Sequence, residues 1–228
     1  MKALSGIIIL LLLLNCSNER VVQLPEIETS EITEVRDVSA AYLFYDESYP
    51  DSTLLNRKNL ISTTNWLINV DRRLSLKQVI PHIQFLQHKK SSGKLHKNEK
   101  ARNYYTCNDS SINNLGFIDF TTTTYEDYNP NFIGLGNLNA PPYLKLTIHK
   151  DGSVGLAEIE NDFIKQSWEP ITVVNQDAFK LLLKESNLKF LLLTFDEQAL
   201  FQTYVRYKSY TEALKNEGYL VAKTEYLF

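Results

Sequence analysis

The chain has 228 residues, 43% of them hydrophobic, with a formal net charge of −3. That supplies enough apolar side chain for one large core or two small ones, and a slightly acidic balance argues against a nucleic-acid binder. Eight glycines and seven prolines exclude a collagenous or low-complexity chain.

At the N-terminus, Lys2 precedes an apolar run over residues 3–14, interrupted by Ser5 and Gly6. Twelve helical residues reach only about 18 Å, against roughly 30 Å of bilayer hydrocarbon. The run is too short to span and reads as a secretory signal peptide over residues 1–15. Leu13, Leu14, Asn15 and Cys16 then resemble a bacterial lipobox, with Asn15 in place of the usual Gly or Ala. The resemblance implies that Cys16 becomes the lipidated first residue of a mature chain held at a membrane. Cys107 is then the remaining cysteine, expected as a small buried side chain with no disulfide partner.

Residues 16–39 carry six carboxylates among Thr, Ser and isolated aliphatics and are expected as an extended tether, with Val21, Val22 and Leu24 as an alternative edge strand. A first α+β unit is expected over residues 40–126. Its strand at 66–70 stops at Asp71, and Ser75 with Gln78 forms a capping box for a helix whose Leu76, Val79, Ile80, Ile83 and Leu86 share one face. Pro81 inside that helix predicts a kink. Residues 89–102 form a basic loop, read as a solvated connection with anionic headgroups or polysaccharide as the alternative ligand. Strands are expected over 104–107 and 116–120. Residues 127–142, rich in Asn, Pro and Gly, mark a linker; Gly134 and Gly136 lack the third glycine of a dinucleotide loop.

The second unit is expected over residues 143–228. Leu144, Leu146 and Ile148 alternate with polar residues, and residues 150–153 turn the chain into a second strand. Asn175 caps a helix. A buried strand over 190–195 stops at Asp196, and a long aromatic helix runs to Gly218. Setting Asp71 against Asp196 places Leu76 opposite Phe201. The fold class is therefore α+β, two small sheet-and-helix units related by internal duplication, with helices on one face of the second unit's sheet.

The residues Leu146, Thr147, Ile148, Asp151, Gly152 and Val154, with Asp196, Ala199, Leu200, Phe201 and Gly218, resemble the periplasmic domain of the ExbD/TolR family over residues 143–228, with a fainter echo over 60–88. Members of that family carry a transmembrane helix with an aspartate used in proton coupling, which the short leader lacks. The resemblance implies a lipid-anchored accessory or scaffold that does not itself couple a proton gradient. Its expected partners are a membrane, through the lipid on Cys16, energy-coupling membrane proteins and a second copy of the chain. Its expected place is the bacterial cell envelope.

The four histidines, His82, His88, His96 and His149, show no metal-ligand spacing, and no nucleophile elbow is present. No catalytic residue, metal site or cofactor is expected. Glu158, Glu160 and Asp162 are read as a solvent edge, with a shared cation as the alternative. Asp71 and Asp196 are read as acids that satisfy backbone N–H groups at strand ends, with a pair of acids between facing units as the alternative. Tyr204, Tyr207 and Tyr210 recur every third residue, which spreads them over about half a helix circumference. That is more than one core face needs, so part of this set is expected as an interaction face for a partner or glycan. A surface lipoprotein that binds glycan or peptide is the alternative function.

Overall fold

The computed structural model describes residues 20–92, 98–129 and 141–228; the leader, Cys16, His96 and the Gly134–Gly136 loop lie outside these. The elements run β1 (Glu26–Ile27), β2 (Val38–Tyr45), β3 (Thr53–Asn56), β4 (Asn65–Val70), α1 (Leu76–Ser91), β5 (Asn103–Asp109), β6 (Asn114–Asp119) and β7 (Thr124–Asp127). They continue with β8 (Tyr143–Ile148), β9 (Ser153–Glu160), β10 (Phe163–Thr172), α2 (Gln176–Leu183), β11 (Phe190–Phe195), α3 (Phe201–Leu214), β12 (Leu220–Val221) and β13 (Thr224–Leu227).

The result is an α+β protein with two mixed sheets. The first has the order β1-β5-β4-β2-β3 with β6 on the other edge of β5; the second has the order β10-β9-β8-β11-β13-β7 with β12 on β11. In each sheet the strand that ends in aspartate is central and parallel to both neighbours, β4 between β2 and β5 and β11 between β8 and β13. A strand buried on both faces must be apolar almost throughout, which accounts for the uninterrupted run in β11.

α1 starts as expected. The Ser75 N–H donates to Gln78 Oε1 at 2.8 Å, and Leu76, Val79, Ile80, Ile83 and Leu86 are all buried. Pro81 does not break it. The helix is continuous from Leu76 to Ser91 because Pro81 lies on the solvent side, where water can take the carbonyl that its missing N–H leaves free.

Two expected boundaries shift. Residues 20–39 do not hang free as a tether. The Asn108 N–H donates to the Pro25 carbonyl and the Ser110 N–H to that of Ile27, Phe117 bridges to Ile32, and Ile27 is buried. Gly116 lets this strap approach, since a Cβ there would meet Ser30 Cβ at 2.7 Å. Mutual repulsion of the acids does not extend the strap because Glu26 and Glu28 each find a partner on the body. The second shift concerns residues 127–142. Residues 130–140 of that stretch lie outside the described residues, but β7, which ends at its first residue, Asp127, pairs in parallel with β13 at the edge of the second sheet, so the boundary is not a clean division between two cores. A single apolar cluster runs from Ile27 through all three helices to Tyr219.

The two units meet through equivalent loops. Leu76 N–H donates to the Ala199 carbonyl at 2.9 Å, and Phe201 N–H donates to the Leu74 carbonyl at 2.7 Å. Lys77 N–H donates to Glu197 at 2.7 Å, and Gln202 N–H to Arg72 at 3.3 Å. With Asp71 set against Asp196, each bond of a pair maps onto the other. The first N–H groups of a helix have no partner within it; here each helix start is satisfied by the other unit's strand-end loop.

α3 is the element both units share. The Tyr204 ring lies 6.0 Å from Tyr105 of the first sheet and 5.0 Å from Phe195 of the second. Tyr207 and Tyr210 pack on Phe179 of α2, each at 5.6 Å. All three tyrosines are buried, at 1% exposure or less. The expected Tyr204, Tyr207 and Tyr210 interaction face is therefore core. The wide aromatic arc is what a helix with neighbours on several sides requires.

Candidate functional site

Beside the junction of the two loops lies a groove of about 670 Å³, within the size range of ligand sites. The strap supplies Glu26 and Glu28, the β4–α1 loop Arg72 and Arg73, the β10 end Val174, and α3 Arg206. Its charges are mostly engaged. Arg72 Nη1 donates to Glu26 Oε1 at 2.6 Å, and the Gln202 side-chain amide both accepts from the Glu26 N–H and donates to its carbonyl. Glu28 accepts from the Tyr210 hydroxyl and from the Gln176 N–H. Burial, then this bond to Glu28, pushes the Tyr210 hydroxyl pKa well up, so Tyr210 remains a donor. The Arg206 guanidinium makes no hydrogen bond or ion pair with a described residue, and beside it Val174 and Leu200 are exposed at 75% and 46%. One uncommitted cation against an apolar wall is the chemistry of a carboxylate-recognition site.

Both strand-end acids act locally. Asp196 accepts from the Gln198 N–H at 2.8 Å, and Asp71 from the Arg73 N–H at 3.1 Å, the same two-residue turn in each unit. Asp71 does more. It is fully buried and takes the Arg73 guanidinium on both oxygens, at 2.8 Å each, and the Gln23 N–H. Burial raises its pKa, but the Arg73 guanidinium and the N–H groups of Arg73 and Gln23 outweigh it, so the carboxyl is held below its usual 3.8. Asp71→Asn should cost about 1.5–3 kcal/mol, because charge-assisted bonds are lost from a buried site. The sign with pH follows. The contribution is full above the unfolded pKa and is lost as pH falls through the lower folded value, so urea midpoints of wild type and variant should converge in acid.

Several other reactive groups are occupied or sealed, while one buried oxygen of Asp162 has no hydrogen-bond partner among the described residues. Burial pushes the Cys107 thiol far up. His82 shares a 3.2 Å contact with Thr53 Oγ1, and burial lowers its pKa. Glu158 takes the Ser186 hydroxyl, and Glu160 pairs with Lys165. Among the described residues no three His, Cys, Asp or Glu side chains converge as a metal site, and no helix is long and apolar enough to cross a membrane.

Sequence reasoning passed over a buried polar chain. Lys208 Nζ donates to Glu225 Oε1 at 2.5 Å, and the Tyr204 hydroxyl to Glu225 Oε2 at 2.8 Å. The Tyr125 hydroxyl lies 3.0 Å from that of Tyr204 and 2.8 Å from that of Tyr105. One clue was present: Lys208 follows Tyr204 by four residues and so shares its helix face. Arg206 gave no such clue, because the strap that forms its groove is distant in sequence.

No protein-family model, curated protein or solved structure matches this chain. Class and site therefore rest on the fold and the geometry above.

Proposed function

We propose that this chain is a lipid-anchored accessory or scaffold protein of the bacterial cell envelope, tethered through Cys16, that holds a partner polypeptide in the groove between its two units. The two units are read as a duplication, which the mirrored bonds at their junction support, and the module as ExbD/TolR-like on its sequence motifs alone. The observation that carries the binding role is Arg206, a guanidinium with no hydrogen bond or ion pair to a described residue, in a groove it lines together with exposed Val174 and Leu200. A peptide bearing a carboxylate beside an apolar side chain satisfies both features. A glycan satisfies the arginine but not the apolar wall. The anchor and the groove make separate claims.

Fluorescent peptides ending in an apolar residue with a free carboxylate should bind the full chain. Arg206→Gln should weaken that binding at least tenfold with an unchanged urea midpoint, as should amidation of the peptide. Co-purification from solubilised membranes should then recover energy-coupling membrane proteins with wild type and not with Arg206→Gln. Retention on polysaccharide, unaffected by Arg206→Gln, would favour the glycan-binding alternative and end the groove assignment.

A further inference from the structure

A second concave face, of about 790 Å³, opens on the first sheet where the described chain begins. Arg20, Arg57, Lys58 and Lys89 line it, no carboxylate does, and Phe44, Tyr49 and three leucines supply its apolar part. Arg57 is held with its guanidinium 4.9 Å from the centre of the Phe85 ring. Lys58 and Lys89 are exposed and make no ion pair with a described residue. Three acids lie close in sequence: Asp46 pairs with Arg20, whereas Glu47 and Asp51 accept from the neutral hydroxyls of Tyr45 and Thr53 and keep their charge, so the excess of cations rests on Arg57, Lys58 and Lys89.

Position selects the occupant. Arg20 follows Cys16 by four residues, and an extended chain spans at most about 3.6 Å per residue, so a lipid on Cys16 enters the bilayer within roughly 14 Å of this face. We propose that the Arg20, Arg57, Lys58 and Lys89 face lies against the membrane and binds anionic phospholipid headgroups; this rests on the reading of Cys16 as the anchor. Guanidinium groups take a phosphate through two parallel bonds and ammonium groups act as point charges. Tyr49, 39% exposed, offers the apolar body and polar tip that suit the headgroup region. Cations this close to an anionic surface each strengthen attachment several-fold, and screening limits their reach to about 10 Å. The anchor would then set how the protein stands as well as where.

The test uses the full chain made in a bacterial host and reconstituted into phosphatidylcholine vesicles with or without phosphatidylglycerol. The rate of amine acylation at each lysine is read by mass spectrometry. Lys58 and Lys89 should be protected at least threefold when phosphatidylglycerol is present, and salt should reverse this. Lys150 and Lys184 of the second unit should not change. Arg57→Glu should abolish the protection at Lys58 and Lys89 while the urea midpoint shows the chain still folded. Equal rates on both vesicles, or protection that salt does not touch, overturn the face. The acyl mass on Cys16, measured in the same digests, reports the anchor separately. Acylation without protection sinks the face alone, and protection without acylation sinks the anchor and leaves a headgroup-binding surface.

Discussion

Lys208→Met should lower the unfolding free energy by about 3–5 kcal/mol, and Lys208→Met combined with Glu225→Leu should restore a large part of it. The side chains of this pair are 5% and 0% exposed, so neither charge has water to fall back on. Removing Lys208 alone strands the Glu225 carboxylate with the Tyr204 hydroxyl as its remaining donor. Removing both lifts the cost of burying two charges, but Tyr204 then loses its acceptor, so recovery should stop about 1–3 kcal/mol short. Urea titrations of the two variants and wild type decide it. A neutral single variant, or a double variant no better than the single one, would show that the pair is not what holds α3 to β13.

The same chain of groups sets the alkaline limit. Burial, foremost, pushes the hydroxyls of Tyr105, Tyr125 and Tyr204 far above the ordinary tyrosine value of 10.0. The unfolded chain therefore ionises first. Stability is full below about pH 10 and falls as pH rises beyond it, because the folded state retains protons the unfolded state has released.

Phe201→Ala should cost about 3–5 kcal/mol and take both sheets down together. Phe201 is fully buried, 5.1 Å from the Tyr105 ring of the first sheet and 5.7 Å from the Tyr204 ring on α3, and its N–H reaches the Leu74 carbonyl. Trp66 lies in β4 and Trp168 in β10, so fluorescence of the Trp66→Phe and Trp168→Phe forms reads one sheet at a time. With one continuous core, both probes should follow a single transition in wild type and the same earlier transition in Phe201→Ala. Two separated transitions, with the first sheet unmoved by the substitution, would return the protein to two independent domains.

Local structure was the part most legible in the chain. The apolar strands that stop at Asp71 and Asp196, the Ser75–Gln78 capping box, the Asn175 cap and the turn at Gly152 all form as their residues require, because each depends on partners a few positions away. The short strands β1 and β3 carried too few alternating residues to register. β10 was missed for a different reason: nearly all of it is exposed, so its apolar residues follow no two-residue period.

By itself, then, the sequence determined the central strands that stop at Asp71 and Asp196, the helices that follow them, and that two similar strand–Asp–helix units are present. Only the tertiary structure decided that the units share one core, that β7 crosses to the second sheet, that the acidic strap closes a groove around Arg206, and that Tyr204, Tyr207 and Tyr210 are interior. The physical reason is range. Hydrogen bonds within a turn or cap are specified by neighbours in the chain, whereas the burial of Tyr204 between Tyr105 and Phe195, or the pairing of Lys208 with Glu225, depends on surfaces that exist only after the elements have packed.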